Sequence, residues 1–192
     1  TGILNEMSPD DRTALLEFLP DDFVKELIQT LSEPERRVTL ELLGYPESSV
    51  GRLMTPDYID IRESWTVEHV LDYIRRHGGQ SETLSMLYVT DERGVLLDDI
   101  RIREFLLSSP ERRVSELMDR RYVKLNAMQD QEAAIDVFRK NDRVALPVVN
   151  DEGVLFGIVT IDDILDIREE EDTEDIQKLG GSEALDEPYL AT

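Results

Sequence analysis

The chain has 192 residues, of which 40% are hydrophobic and 33% are charged, and its formal net charge is −22. This composition supports one or two compact globular units with a hydrophobic core and excludes a disordered tail. The acidic excess disfavours anionic partners such as nucleic acid and favours cations. Because the chain contains no cysteine, disulfides, thiol catalysis and thiolate metal sites are excluded, and no segment approaches the roughly 20 apolar residues that span a bilayer.

The first section, residues 1–45, is predicted to be helical. The strings SPDD at 8–11 and SEPE at 32–35 each have the form of a helix start, the second as a capping box, and Pro20 precedes a further apolar run with helical spacing. These signals predict three short amphipathic helices. Gly44 suits the position just beyond a helix end and therefore predicts a boundary after this section.

An internal repeat follows the helical section. Residues in the first half of one copy recur 64 positions later, as Val50 and Val114 do, and residues in the second half recur 59 positions later, as Gly94 and Gly153 do. Such self-similarity indicates two copies of one supersecondary unit, whose apolar faces are buried against each other. We therefore expect a paired module, consisting of copy 1 and copy 2, with a cleft between them.

Each copy is predicted to run strand, helix, strand, turn, strand, helix. In copy 2, residues 122–125, 131–140 and 146–149 carry the strand, helix and strand patterns, the string NDEG is typical of a turn, and Thr160 suits the N-cap of a final helix. In this order the chain resembles the paired CBS domain, whose fold is β-α-β-β-α. The strings VGRLMTPDYIDIRESWTVEHVLDYI and LPVVNDEGVLFGIVTIDDIL carry the likeness, which covers both copies.

The surrounding sequence resembles one kind of CBS protein. The acidic turns SPDD and LPDD and the strings LLGYPESSVGRLMTP and TEDIQKLGG are similar to the cytosolic region of MgtE-type magnesium channels. The resemblance implies an α+β fold with a helical, superhelix-like N domain at 1–45, a CBS pair at 50–109 and 112–167, and an acidic connecting helix and tail at 168–192. It also implies a transmembrane pore domain beyond that helix, a location at the cytoplasmic face of the membrane, and a homodimer formed through the CBS pair.

The segment that leaves the repeat is strongly acidic. Between residues 162 and 175, nine acids stand against the single Arg168. Like charges one helical turn apart cost about 0.2–0.5 kcal/mol per pair, so such a helix is marginal unless a cation neutralises it. Mg²⁺ prefers carboxylate oxygens and retained water, which makes it the expected ligand. The alternative interpretation is a solvated helix face without a bound ion.

The MgtE resemblance implies which acids bind Mg²⁺ in this chain. They are Asp10, Asp11, Glu132, Asp142, Asp163, Asp166, Glu171, Glu174 and Asp175. An ion shared between the helical domain and the connecting helix would hold the two closed, and the resemblance implies that this closure shuts the pore. The chain departs from the family at Ala14 and Leu15, where a further acid is common. For Asp163 the alternative is a first-turn acid that only complements the helix dipole.

A nucleotide sensor is the second hypothesis. CBS pairs in general bind adenosine phosphates, and the string GIVTIDD at 157–163 matches their Gly-x-x-Thr-x-x-Asp pattern, with Thr160 placed for a phosphate and Asp163 for a ribose. Copy 1 departs from this pattern at the corresponding positions, which are Asp98, Arg101 and Glu104. At most one site of this pattern is therefore expected, with ATP or another adenine nucleotide as its ligand, although Arg101 or Arg103 could also meet a phosphate.

No enzymatic activity is expected. The sequence contains no G-x-S-x-G string, P-loop, dinucleotide glycine pattern or H-E-x-x-H motif. Tyr58 and Tyr122 are expected to contribute to packing, and His69 and His77 to lie on the surface. The sequence therefore predicts a non-catalytic regulatory region that senses Mg²⁺, with an adenine-nucleotide sensor as the alternative.

Overall fold

The computed structural model describes residues 2–165 and residue 167, and it begins with a group of helices. These are α1 (Gly2–Glu6), α2 (Pro9–Glu17), α3 (Asp21–Thr30), α4 (Glu33–Leu43) and the short α5 (Val50–Leu53). The three helices predicted for the first section correspond to α2, α3 and α4. Helix α1 is additional, since its 5 residues are too few to display a helical period.

One buried arginine holds the N-terminal helices together. Arg12 of α2 is 1% exposed, and it donates hydrogen bonds to the carbonyl oxygens of Leu4 (2.7 Å) and Met7 (2.8 Å) and to the hydroxyl of Thr39 (3.1 Å). Its guanidinium also forms an ion pair with Glu35. A buried charge is tolerated when it is paired and hydrogen-bonded, and these contacts meet that need. Arg12 therefore fixes α2, whose first turn carries two of the predicted metal ligands.

Two of the predicted helix ends differ in detail. Ser32 precedes α4 but makes no side-chain capping bond, so the predicted capping box is wrong. The Ser32 N–H donates instead to Oδ1 of Asn5 at 2.8 Å, and Glu35, which would complete the box, pairs with Arg12. Gly44 follows the end of α4 as predicted, but its φ of −74° is right-handed, so the left-handed conformation typical of a glycine cap is not used.

Both copies of the repeat have the predicted β-α-β-β-α order. Copy 1 contains β1 (Asp60–Ile61), α6 (Val67–His77), β2 (Met86–Thr90), β3 (Leu96–Arg101) and α7 (Ile102–Leu106). Copy 2 contains β4 (Leu125–Asn126), α8 (Gln131–Lys140), β5 (Ala145–Val149) and β6 (Leu155–Thr160), and residues 161–165 form a final helical segment. In each sheet the middle strand is parallel to the first and antiparallel to the third.

The two glycine turns join the copies to each other. Gly94 and Gly153 have φ values of +80° and +81°, a conformation that glycine adopts without steric cost. The N–H of Leu96 donates to the carbonyl oxygen of Gly153 at 3.0 Å, and the N–H of Leu155 donates to that of Gly94 at 2.9 Å. The equivalent turns therefore pair across the approximate twofold relation between the copies.

The leading residues of each copy lie against the other copy. The N–H of Val50 donates to the carbonyl oxygen of Gln129 at 2.8 Å, and the N–H of Val114 donates to that of Trp65 at 2.9 Å. Val50 is accordingly buried in the hydrophobic core of copy 2, and Val114 in that of copy 1. The sequence repeat and the packed unit are thus different, because each core is completed by a segment exchanged from the other copy.

Two tyrosines secure the contact between the sheets. The hydroxyl of Tyr58 donates to the carbonyl oxygen of Leu155 at 3.2 Å, and the equivalent Tyr122 donates to that of Leu96 at 3.2 Å. This role explains why β4 begins only at Leu125 and not at residue 122 as predicted. The tyrosines flank an apolar layer between the copies, formed by Met86, Tyr88, Leu96, Ala145, Val149, Leu155 and Ile158.

The helical section rests on copy 2. Leu42 of α4 is 2% exposed and belongs to the core of that copy, and Tyr45 packs against the same core. Arg52 of α5 pairs with Glu17 of α2 and donates to the carbonyl oxygen of Tyr45 at 2.6 Å. Among the residues that the structure describes, no helix is long and apolar enough to cross a membrane.

Candidate functional site

The first turn of α2 presents Asp10 and Asp11, as the sequence predicts. Asp10 is 8% exposed and accepts a hydrogen bond from the N–H of Asp11 at 3.0 Å, whereas Asp11 itself is exposed. Burial raises the pKa of Asp10, and hydrogen bonds from Ser8 and from the Asp11 N–H oppose that shift. A buried carboxylate at a helix start is stabilised by the helix dipole, but the negative charge is still costly without a cation.

Asp163 lies in the first turn of the final helical segment. Its Oδ2 accepts hydrogen bonds from the N–H of Thr160 at 3.2 Å and from the Thr160 hydroxyl at 2.6 Å. These contacts are those of a capping acid, so that interpretation of Asp163 has direct support. A carboxylate offers about four acceptor positions, however, so two hydrogen bonds leave room for an ion.

The charge of Asp10 reaches Asp163. Burial raises the pKa of Asp163 to about 7, the hydrogen bond from the Thr160 hydroxyl opposes the shift, and the negative charges of Asp10 and Asp162 add to it. The first turn of α2 and the first turn of the final helical segment therefore face each other with like charges. Such an arrangement destabilises the ionised pair unless a cation lies nearby.

Two further acids, both in copy 1, lie close enough to Asp10 to feel its charge. Burial raises the pKa of Asp57, as do the charges of Glu35 and Asp10. Burial also raises the pKa of Glu82, with contributions from Asp10 and Asp162, and its N–H donates to the carbonyl oxygen of Asp57 at 2.7 Å. We name this surface the acidic junction, and it consists of Asp10, Asp57, Glu82, Asp162 and Asp163.

The acidic junction suits a hydrated cation better than a tightly chelated one. Within residues 2–165 and 167, no group of 3 or more histidine, aspartate or glutamate side chains converges closely enough to hold a metal ion. Mg²⁺ usually retains several waters and binds proteins through one or two carboxylates, so it does not require such a group. The donor set, which is carboxylate oxygen alone, is the one that Mg²⁺ prefers.

The other predicted ligands are dispersed or lie outside the described residues. Glu132 is exposed in the first turn of α8, and Asp142 lies in the loop that follows that helix. Asp166, Glu171, Glu174 and Asp175 lie outside the described residues. Sequence reasoning missed Asp57 and Glu82 as site residues, because each is an isolated acid in a loop and neither carries a spacing signal.

A cavity of about 520 Å³ opens between the copies on the side of copy 1. Its walls combine acids and bases from β3, from the start of α7 and from the end of α8 and the loop beyond it, among them Asp99, Arg101, Glu104, Lys140, Asp142 and Arg143. A guanidinium N–H of Arg101 donates to the carbonyl oxygen of Asp142 at 3.1 Å across this cavity. The cavity thus lies beside Arg101 and Glu104. The hydroxyl of Thr160, which was expected to contact a phosphate, donates a hydrogen bond to Asp163.

The chain matches two protein families in succession. Residues 1–48 match the MgtE intracellular N domain, and residues 50–108 and 114–170 match the CBS domain. The two CBS matches together cover more than half of the chain.

Relatives of known identity agree with these matches. The magnesium transporter MgtE of Thermus thermophilus is 42% identical over 85% of this chain and 36% of its own length, and that of Bacillus subtilis is 34% identical over 95% and 40%. The chain therefore spans about two fifths or less of these transporters. Among solved structures, the cytosolic domain of the Mg²⁺ channel MgtE in complex with ATP has a TM-score of 0.83 and 38% identity, over 86% of this chain and 68% of that one. This chain belongs to the MgtE family, of which it comprises the intracellular N domain and the CBS pair.

Proposed function

We propose that this chain is the cytosolic Mg²⁺-sensing region of a magnesium channel or transporter. It has no catalytic role, and it couples ion binding to the closure of its helical section onto the CBS pair and thereby to the pore of the complete protein. The observation that carries the proposal is the acidic junction, where Asp10 of α2 faces Asp163 closely enough that one charge raises the pKa of the other.

The sensing step follows from electrostatics. At low Mg²⁺ the ionised carboxylates of Asp10 and Asp163 repel, which favours separation of α2 from the final helical segment. When the two carboxylates share a hydrated Mg²⁺, the closed arrangement is favoured, because only that arrangement offers both sets of oxygens to one ion. The acids Asp166, Glu171, Glu174 and Asp175 extend this negative surface in the sequence and are proposed as further ligands, as are Asp11, Glu132 and Asp142.

The test is a thermal melt with small-angle scattering, with and without millimolar MgCl₂. An ion that binds only the folded closed state stabilises it by about 1.4 kcal/mol at ten times its Kd, which corresponds to a rise of about 3–6 °C in Tm for a chain of this size. We expect that rise together with a smaller radius of gyration. NaCl of equal ionic strength should do less, because screening acts on all exposed charges alike.

Asp10→Asn and Asp163→Asn isolate the site. Each should raise the Tm in the absence of Mg²⁺, because a repelling charge is removed, and should reduce the response to Mg²⁺. Asp72→Asn provides the matched control, since Asp72 is a partly exposed acid on α6 that pairs with Arg75. If both junction variants kept the full Mg²⁺ response and lost stability without it, Asp163 would be only a capping acid and the proposal would fail.

The assembly around this region is part of the same proposal. A transmembrane pore domain follows the acidic segment 168–192, which lies outside the described residues, the described region lies at the cytoplasmic face, and two chains associate through their CBS pairs. Exposed leucines support the last point, because Leu106 of α7 is 65% exposed and the equivalent Leu165 is 51% exposed. Exposed apolar side chains at equivalent positions of both copies are consistent with an interface between two chains. Light scattering should give twice the chain mass, and Leu106→Glu should reduce it.

A nucleotide site is the second candidate function. The cavity of about 520 Å³ has the size of a small-molecule site, and Arg101, Lys140 and Arg143 supply positive charge to it. An MgtE cytosolic domain that is 38% identical to this chain was solved in complex with ATP. We therefore propose that this cavity binds a nucleotide, ATP among them, at the position of Arg101 and not at the predicted Thr160.

Calorimetry with ATP distinguishes the two positions. Arg101→Gln should weaken binding by about tenfold or more, because a charge-assisted contact to phosphate contributes about 1.5–3 kcal/mol. Thr160→Val should change the affinity for ATP by less than twofold, since the Thr160 hydroxyl donates its hydrogen bond to Asp163. The reverse result would restore the site predicted at Thr160.

A further inference from the structure

The floor of the cavity differs in kind from the same place in copy 2. In copy 1, Tyr88 of β2 lies directly opposite Asp99 of β3. The equivalent cross-strand pair in copy 2 is Pro147 and Ile158, which is wholly apolar. A buried aspartate has therefore taken the place of a core isoleucine, and this exchange requires a physical reason.

Asp99 is buried and has a single charged neighbour. Its side chain is 1% exposed, Nη2 of Arg143 forms an ion pair with its Oδ1 at 3.1 Å, and its Oδ2 has no hydrogen-bond partner. The hydroxyl of Tyr88 is also buried without a partner. Leaving a buried polar group unsatisfied costs about 1–3 kcal/mol, and native proteins retain few such groups. Because Asp99 lines the cavity, a ligand there could supply the missing donors.

The positions of the charges define what that ligand must carry. Asp99 and Arg101 are two residues apart on β3, so both side chains lie on the same face of the strand. Asp99 is a buried residue of the cavity wall, whereas Arg101 and Lys140 in the same wall are exposed. A fitting ligand therefore has N–H donors at one end and an anionic group at the other.

Guanine supplies the N–H donors that this ligand needs better than adenine does. A carboxylate accepts two parallel hydrogen bonds, one on each oxygen. The Watson–Crick edge of guanine offers two adjacent donors, the ring N1–H and the exocyclic amine. That of adenine offers one donor beside an acceptor nitrogen, which an ionised carboxylate repels. A site built on hydrogen bonds discriminates strongly against an analogue that lacks them.

We propose that this cavity is selective for guanine nucleotides, with Asp99 accepting both hydrogen bonds of the guanine edge and Arg101 and Lys140 at the phosphate. The proposal rests on the nucleotide site proposed above and adds its base specificity. Arg143 keeps the buried carboxylate charged, and Tyr88 borders it from the opposite strand. Asp99 is thus a specificity-determining residue that the Gly-x-x-Thr-x-x-Asp pattern does not include.

The experiment is calorimetry of the chain with GMP, IMP and AMP. IMP retains the ring N–H but lacks the exocyclic amine, so the three ligands remove one contact at a time. Burial raises the pKa of Asp99 to about 6, opposed by the nearby Arg143, so pH 8 keeps its carboxylate ionised. We expect GMP to bind at least tenfold more tightly than AMP, with IMP between them.

Variants assign the preference to Asp99. Asp99→Asn should reduce the ratio of GMP to AMP affinity to within about twofold, whereas Asp119→Asn should leave it unchanged, because Asp119 lines the same cavity but is exposed. Tighter binding of AMP by the unaltered chain, or an unchanged ratio in a folded Asp99→Asn variant, would overturn the base specificity alone. If none of the three ligands bound and ATP did not bind either, the nucleotide site itself would be refuted.

Discussion

Copies 1 and 2 share one sequence pattern, but they solve the same packing problem differently. In copy 2, Gly157 allows the backbone at Thr55 to come close, and Thr55 and Ile158 exchange two backbone hydrogen bonds of 2.9 Å. In copy 1 the glycine is replaced by Asp98, whose Oδ2 accepts the N–H of Arg120 at 2.9 Å.

A duplicated unit can therefore diverge at a contact between its copies and keep its fold. A direct backbone contact joins the copies on one side of the module, and a hydrogen bond from a backbone N–H to the Asp98 side chain joins them on the other. The cavity lies on the side of that hydrogen bond, next to Asp99. An aspartate in place of glycine on β3 thus accompanies the cavity in copy 1.

Gly157→Ala should be the most damaging change. A Cβ at residue 157 would lie 2.8 Å from the carbonyl oxygen of Thr55 and 3.0 Å from the Met54 side chain. Overpacking a core in this way costs about 3 kcal/mol, at the upper end of its usual range, because backbone must move. Urea unfolding gives the change in free energy. Gly79→Ala is the control, since no atom lies within 4 Å of its added Cβ, and equal effects of the two changes would contradict the close approach.

Asp98→Ala should come second, at about 2 kcal/mol. The Asp98 carboxylate is 0% exposed and accepts the N–H of Arg120 and, at 3.0 Å, the N–H of Asp99. Its removal takes the acceptor away from both backbone N–H groups, one of which belongs to the buried Asp99. The same unfolding measurement applies, with Asp119→Ala as the matched exposed acid. If the free energy of unfolding fell by less than about 0.5 kcal/mol, water would be replacing the Asp98 carboxylate as acceptor for these N–H groups.

The buried Asp99 should make stability depend on pH. Burial raises its pKa to about 6 in the folded chain, against about 4 when unfolded, so the folded chain binds more protons between these values. The free energy of unfolding should therefore fall as pH rises from about 4 to about 6, by on the order of 1–2 kcal/mol, and remain lower above. Asp99→Asn should remove this component from melts recorded at pH 4–8. A pH-independent difference between the two proteins would show that Asp99 has an ordinary pKa.

The tyrosine contacts should have the smallest effects and should be equal. Tyr58→Phe and Tyr122→Phe each remove one hydroxyl that donates to a backbone carbonyl at 3.2 Å. Each should cost about 1 kcal/mol. Thermal melts of both variants test whether the approximate symmetry extends to energy. If the stability losses of the two variants differed by more than about 1 kcal/mol, the two tyrosine hydrogen bonds would not be energetically equivalent.

Much of the fold is predictable because its signals are local. The bounds of α8, Gln131–Lys140, coincide with the predicted helix, and the string NDEG, predicted to be a turn, is one, with Gly153 at a φ of +81°. The site is less predictable. The MgtE resemblance predicted Asp10 and Asp163 as site residues. Asp57 and Glu82 were not predicted, because only the tertiary fold brings them near Asp10. No property of the neighbouring residues could have indicated that convergence.

By itself, the sequence determined the duplication, the β-α-β-β-α order and the acidic character, because each depends on composition or on short-range spacing. Only the tertiary structure decided that Val50 completes the core of copy 2 and Val114 that of copy 1. It also decided that Asp98 supports a cavity while Gly157 closes the equivalent space. The physical reason is that these outcomes depend on which distant backbone segment approaches each strand, and that approach is set by the packing of the whole module.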